Sequence, residues 1–469
     1  MPASRDLKRI LVVGSGWRFT SGISYYTCRL ANALSSRYDV GAILMRQLLP
    51  TRLYPGRARV GASLHSLSYA SQVQVFDGVD WWGLPSLLRA VQFIRKFRPD
   101  VLVLQWWTGA VLHSYLALCL AARLSGARVV IEFHEVQDTG EAAHRWASLY
   151  VRKLIKPLLR ATAGVVVHSR FDQEQMQRTY DLSTVPQVIA RHGPYDHHES
   201  TARRPVAQGE PRRLLFFGTI RPYKGLEDLI DAFALLPGDC RLTVVGETWE
   251  GWQLPLDMIA VSPARARIEL VNRYVSDAEV NDFFAAADVV VLPYRRSSAS
   301  GPLHIAMSHG LPVVVTAVGG LVEAAGDYPG VRFAEPGDPA ALATAIREAF
   351  PLIGTRHADP CTWESTVAAY DKLLTEIGVH APSSAPVPAP APVPAQAPVP
   401  VPAPAPAPVP ALAPLPVPAP ASAPAPAPVP APAPAPAQAP DLDELPREPH
   451  PSSSVMTSRS ERAATNQRT

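Results

Sequence analysis

Two distant stretches of this chain are built alike. Arg9-Ile10-Leu11-Val12-Val13-Gly14 is an apolar run closed by glycine, and Arg213-Leu214-Leu215-Phe216-Phe217-Gly218 is a second. A run that is apolar at nearly every position suits a parallel strand covered by helices on both faces, not a strand with a wet side. Each run leads through a polar loop into helical periodicity, Ile23 to Leu34 after the first and Leu226 to Leu235 after the second. A strand–loop–helix unit therefore opens each half.

The same alternation continues. Val101–Leu104, Val129–Ile131 and Gly164–Val167 read as strands of the first half, with helical patterns at Leu87–Lys96 and Leu112–Leu124. In the second half the strands are Arg241–Val245, Ile268–Leu270, Val289–Leu292 and Val313–Thr316, with helices at Asp277–Ala287, Leu303–Ser308 and Pro339–Ala349. Strands alternating with helices define an α/β chain of doubly wound parallel sheets. The polar, Pro/Gly-bearing stretch Ser200–Arg212 is the expected linker, and Trp363–Ile377 the last amphipathic helix.

Proline marks where folding stops. Of the 50 prolines, 28 fall in residues 381–451, and 382–440 carries no charge. Alternating proline removes ladder donors and leaves an extended, polyproline-like spacer. The expected organisation is residues 1–205 and 206–352 as two Rossmann-like domains, 353–380 as a closing helix, and 381–469 as a disordered Pro/Ala-rich tail. A net charge of +3 argues against nucleic acid as a partner. Cys28, Cys119, Cys240 and Cys361 show no metal-ligand spacing and read as buried small hydrophobes. No apolar stretch reaches the roughly 20 residues of a membrane span, and the N-terminus lacks a signal-peptide pattern, so the expectation is cytoplasmic. Tyr150–Ala161 puts Arg152, Lys156 and Arg160 beside Leu154, Ile155, Leu158 and Leu159, a pattern for peripheral contact with the inner face of a membrane.

Ligands of such sheets bind beyond the carboxyl ends of the strands. Gly14-Ser15-Gly16-Trp17-Arg18-Phe19 lacks the third glycine of a dinucleotide loop, which excludes that reading; Ser21-Gly22 before the first helix offers amides instead. Gly218-Thr219-Ile220-Arg221-Pro222-Tyr223-Lys224-Gly225 sets two cations at the mouth of a strand, suited to a diphosphate. Ser297-Ser298-Ala299-Ser300-Gly301-Pro302-Leu303 starts a helix whose dipole favours phosphate. Gly319-Gly320 followed by Glu323 gives close approach and an acceptor for hydroxyls, and His134 stands at a strand end of the first half. His134-Glu135-Val136-Gln137-Asp138 is not a zinc-protease motif, and Arg191–His198, though rich in histidine, fits no common zinc spacing.

Taken in order, VVGSGWRFTSGISYYTCRLANAL, IEFHE, FFGTIRPYKGLEDLIDAF, LTVVGE, FFAAADVVVLPY and SGPLHIAMSHGLPVVVTAVGGLVE resemble the family-four glycosyltransferases of GT-B architecture, over roughly residues 8–380. The resemblance implies two facing domains across a cleft, a nucleotide-sugar donor on the second and an acceptor on the first. It also implies retention of anomeric configuration and no metal or other cofactor. It matches Arg221 and Lys224 to the diphosphate pair, and His134 to the histidine near the donor sugar. Gly22 matches the glycine near the leaving phosphate. Ser298–Leu303 corresponds to the phosphate and sugar loop, and Arg273-Tyr274-Val275 to the backbone that cradles the base. The family's two glutamates, eight positions apart, correspond here to Ser297 and Ile305, which departs from its usual contacts to sugar and ribose. Lipid-linked or small-molecule acceptors are both compatible with this reading. A GT-B nucleotide-sugar epimerase and a non-catalytic nucleotide-sugar scaffold are the alternatives.

Overall fold

A computed structural model describes residues 8–16, 22–47, 68–80, 83–136, 145–195, 209–249 and 251–379. Trp17–Ser21, Gln137-Asp138, His197-His198, most of the expected linker and the Pro/Ala-rich tail lie outside the described residues. The first domain carries β1 (Arg9–Ser15), α1 (Gly22–Leu34), β2 (Asp39–Gln47), β3 (Gln74–Asp80), α2 (Leu84–Phe97), β4 (Val101–Trp106) and α3 (Leu112–Leu124). It continues with β5 (Arg128–Phe133), α4 (Arg145–Ala161), β6 (Thr162–Val167), α5 (Arg170–Thr179) and β7 (Gln187–Ile189). The second carries β8 (Arg212–Phe217), α6 (Leu226–Ala234), β9 (Cys240–Val245), α7 (Leu254–Val261), β10 (Ile268–Val271), α8 (Asp277–Ala286) and β11 (Val289–Leu292). There follow α9 (Gly301–Ser308), β12 (Val313–Thr316), α10 (Leu321–Ala325), β13 (Val331–Ala334), α11 (Pro339–Ala349) and α12 (Trp363–Glu376).

Among the described residues the sheets run β3-β2-β1-β4-β5-β6-β7 and β10-β9-β8-β11-β12-β13. Every pairing is parallel, with Ile10 opposite Val101 and Leu214 opposite Val289 at the two points where strand order reverses. The opening apolar runs are divided between two layers. Leu11 and Val13 pack with α2 and α3, whereas Ile10 and Val12 pack with Tyr26 and Leu30 of α1. Leu214 and Phe216 likewise face one cluster and Leu215 the other. Double-sided burial is what an apolar run without alternation demands.

The last helix returns to the first domain. Thr362 caps α12, and Trp363, Val367, Tyr370, Leu373 and Leu374 join the cluster of Val12 and Leu30. Asp371 takes hydrogen bonds from Arg37 and Tyr38 and fixes its register. The stripe in α4 differs from its reading as a membrane face: Ile155 and Leu158 are core residues packed beneath the first sheet, Leu159 packs partly against them, and Leu154 is left outside. No helix among the described residues is long and apolar enough to cross a membrane.

Candidate functional site

The loop after β8 is shaped by glycine. Gly218 has φ 125° and Gly225 φ 62°, and a Cβ on Gly225 would lie 2.0 Å from the Pro293 carbonyl oxygen. Only glycine tolerates that approach. Between them Pro222–Lys224 forms a tight turn in which the Lys224 N–H donates to the Arg221 carbonyl at 2.9 Å. The turn drives Lys224 inward to 7% exposure, with Nζ 3.7 Å above the centre of the Tyr294 ring. No carboxylate of the described residues forms an ion pair with it. Burial pushes its pKa below the usual lysine value, against the raising influence of Tyr223 and Glu135. Arg221 lies over the rings of Tyr223 (5.5 Å) and Trp249 (5.1 Å). Arg295 pins the loop: its guanidinium donates to both Asp228 oxygens at 3.0 and 2.8 Å, and its N–H to the Tyr223 carbonyl at 2.8 Å.

The start of α9 meets this loop. A Cβ on Gly218 would sit 3.7 Å from Pro302, so the end of β8 and the first turn of α9 share one wall. Ser300 caps the helix by accepting the Leu303 N–H at 3.3 Å, and Pro302 has no N–H, so the donor supply is narrower than the serine-rich sequence suggests. Ser297 donates to the Ala299 carbonyl at 2.8 Å. Leu303, Ile305 and Val275 belong to one apolar cluster, while Tyr274 beside them is half-buried. Ile305 therefore serves the core. Glu323 is also engaged: its carboxylate accepts the backbone N–H groups of Arg170 (2.9 Å) and Phe171 (3.1 Å), which begin α5 of the first domain.

On the first domain, Gly22 opens α1 and its carbonyl accepts the Tyr195 hydroxyl at 3.2 Å. His134, at the end of β5, lies in a buried polar network. Glu132 accepts from the Tyr26 hydroxyl at 2.6 Å and the Gln105 amide at 3.1 Å. His168 Nδ1 is 2.9 Å from the Ala190 carbonyl, and its Nε2 is 3.1 Å from His134 Nδ1. A carbonyl can only accept, so His168 Nδ1 carries the proton. His134 Nε2 makes no hydrogen bond and lies 3.7 Å from Glu132 Oε2.

Burial raises the Glu132 pKa, but the adjacent His134, with His168 and the Tyr26 hydroxyl, outweighs it and holds Glu132 at about 2. When the pair carries a proton, it therefore sits on imidazole. Glu132, His134 and His168 are of metal-binding type, with donor atoms within 4.8 Å of one another. Nearby, His192 stacks on His304 of α9 with ring centres 4.5 Å apart. Burial drives the His304 pKa down to about 3, with His168 adding to the shift.

The structure thus brings Gly218, Arg221, Lys224 and Ser300–Leu303 together at the ends of β8 and β11. Sequence reasoning missed Glu132, His168, His304 and the Arg295 brace. Adjacent charge was the only hint for Arg295, and pairing across the fold carried the rest.

Residues 21–193 match the glycosyl transferase 4-like domain, and residues 211–350 match the group 1 glycosyl transferases. The chain belongs to the family-four glycosyltransferases and has their GT-B architecture. It is 31% identical over 219 residues to the D-inositol 3-phosphate glycosyltransferase of Geodermatophilus obscurus, covering 42% of this chain and 48% of that one. It is 28% identical over 201 residues to the GDP-mannose:glycolipid 4-beta-D-mannosyltransferase of Xanthomonas campestris pv. campestris, covering 42% and 52%. The match thus spans about half the length of these relatives. In fold it resembles the catalytic domain of starch synthase IV from Arabidopsis thaliana, bound to ADP and acarbose (13% identity, TM-score 0.57, covering 79% and 99% of the chains). It also resembles the Anabaena protein HepE in complex with UDP and glucose (16%, 0.51, 79% and 96%).

Proposed function

We propose that this chain transfers a sugar from a nucleotide-diphosphate donor, held on the second domain, to an acceptor on the first. The observation that carries this reading is Lys224, a buried ammonium facing an aromatic ring with no carboxylate partner among the described residues. Cleavage of the glycosyl–phosphate bond builds negative charge on the leaving diphosphate. Arg221, Lys224 and the first turn of α9 stabilise that charge more as it grows, which lowers the barrier. These cations supply the electrostatic role a divalent metal would otherwise fill, so we propose metal-independent chemistry.

Retention is part of the proposal. It is supported by the family resemblance and by the state of nearby carboxylates: Glu323 is held by backbone amides, Glu132 by Tyr26 and Gln105, and Asp172 by Ser169. None is presented as a nucleophile, which favours front-face attack with the leaving phosphate taking the acceptor proton. His134 stands on the acceptor side of the cleft.

A lipid-linked acceptor is favoured by one surface. Helices α2, α3 and α4 pack side by side and contain no acidic residue. Leu120 (61% exposed) and Leu124 (78%) project from α3, which also carries Arg123, and the neighbouring α4 exposes Arg152, Lys153 and Lys156. Apolar and basic groups together suit an anionic lipid surface.

Thermal shift against UDP-, GDP- and ADP-sugars tests donor binding, because a ligand of the native state alone raises the melting temperature. Product analysis by NMR then reads the anomeric outcome. Arg221→Ala and Lys224→Ala should each lower transfer at least about tenfold; unchanged turnover in the double variant would remove the assignment. Vesicle sedimentation should weaken in Leu120→Ser/Leu124→Ser, and equal binding by that variant would dismiss the membrane face.

A further inference from the structure

Glu323 is the acidic residue after the Gly-Gly turn, where a donor hydroxyl would be sought. Its carboxylate is spent elsewhere. It belongs to the second domain, yet both oxygens accept amides at the start of a first-domain helix, Arg170 N–H to Oε2 at 2.9 Å and Phe171 N–H to Oε1 at 3.1 Å. Ser169 caps that helix, so Arg170 and Phe171 are its first two residues, and their N–H groups have no acceptor within the helix. The helix dipole adds a favourable field for the carboxylate.

The surroundings are cut to allow this contact. A Cβ on Gly320 would lie 2.2 Å from the Ser298 carbonyl oxygen and 2.9 Å from Ser169 Oγ, and one on Gly319 would lie 3.3 Å from the Phe171 ring. The glycine pair therefore lets the donor-side turn come down onto α5.

We propose that Glu323 is an interdomain latch, a positioning residue that holds the cleft closed by capping α5. The inference goes beyond the transferase reading and does not depend on it. Closure would gather the groups of both domains, and a cleft closed only part of the time binds its ligand more weakly in proportion.

The test uses the full chain with spin labels at Ser125→Cys and Glu348→Cys, exposed positions on the two domains, while all four native cysteines are buried. Arg170→Pro removes one donor of the latch without touching Glu323, and proline is well tolerated at the first helical position. Arg170→Ala removes only the side chain. Without donor, Glu323→Ala and Arg170→Pro should both lengthen and broaden the interdomain distance, Glu323→Gln should fall between, and Arg170→Ala should match the parent. Once a donor is known, its KM should rise about fivefold in Arg170→Pro, with kcat changed less. A parental distance distribution in Arg170→Pro overturns the latch. So does Glu323→Ala losing activity at unchanged distance, which would make Glu323 a donor ligand. Inactivity of every variant and of the parent would count against the transferase reading and leave the distance result standing.

Discussion

Replacing Lys224 by methionine separates a cation kept for a ligand from one kept for the core. Its ammonium is 7% exposed and lies 3.7 Å from the Tyr294 ring centre. A desolvated cation–π contact contributes about 2 kcal/mol. Desolvating an ammonium costs several kcal/mol, and no ion pair among the described residues offsets it. Methionine keeps most of the apolar stem and loses only the charge. The unliganded Lys224→Met protein should therefore be more stable than the parent by about 1–3 kcal/mol, or roughly 2–4 °C per kcal/mol for a domain of this size.

With nucleotide the order should reverse. A ligand at a hundredfold its Kd adds about 2.7 kcal/mol to the parent, and the variant should lose most of that. Melting curves with and without UDP, GDP and ADP provide the assay. The pH dependence has a definite sign. Lys224 has a folded pKa below its unfolded value, so the native state holds that proton less tightly than the unfolded chain. Its penalty is complete below the folded pKa and relaxes as pH rises toward 10.5, the ordinary lysine value, so the gap between variant and parent should close there. A variant that melts well below the parent and still responds to nucleotide would refute the reasoning and make Lys224 a structural cation.

Gly225→Ala forces a left-handed backbone and a Cβ 2.0 Å from the Pro293 oxygen, so urea denaturation should show a loss of more than about 2 kcal/mol and nucleotide response should fall with it. Glu132→Ala should cost about 2–4 kcal/mol by stranding Tyr26 and Gln105, with Glu132→Gln milder. Glu132 is held at about 2, below the ordinary glutamate value of 4.5, so its stabilisation is complete above 4.5 and is lost as pH falls toward 2. The acid limb of the stability curve should therefore flatten in Glu132→Gln. Ile305→Glu, which restores the family's usual residue, should destabilise the fold by about 3 kcal/mol or more because it buries a carboxylate among apolar side chains. Tighter nucleotide binding in that variant would show that position 305 still reads the ribose.

The central strands were legible because both of their faces are buried. The strands that escaped sequence reading are mostly edges or interrupted runs. In the first sheet, β3 leaves Gln74 and Val75 exposed at an edge, and β7 has three residues. In the second, β13 at the edge is half-buried with Arg332 inside it. Gly41 breaks the apolar run of β2, and its role is packing, since a Cβ there would lie 3.0 Å from Leu11 and 3.2 Å from Phe97. Helix α5 is polar nearly all round, with Met176 and Asp172 its buried residues, so no apolar period announces it. In α4 the stripe was visible but its direction was not. Period alone cannot distinguish a core from a bilayer.

The site divides along the same line. Gly218 to Gly225 is a local unit in which glycine positions and cation spacing lie within eight residues, so its geometry follows from its own sequence. Glu323 and Arg170 are 153 positions apart, and Glu132 and His168 are 36 apart. Their meaning depends on which surface the fold sets opposite. Lys224 and Glu323 look equivalent as charged loop residues beside glycine. In the folded chain they are opposite cases. Lys224 is a cation without a paired anion among the described residues, whereas Glu323 already accepts two amides. A buried charge without a partner is costly to keep, and that cost is offset only when an anion arrives. A charge with its donors in place stabilises the seam whether or not a ligand is present. The first therefore belongs to recognition and the second to closure.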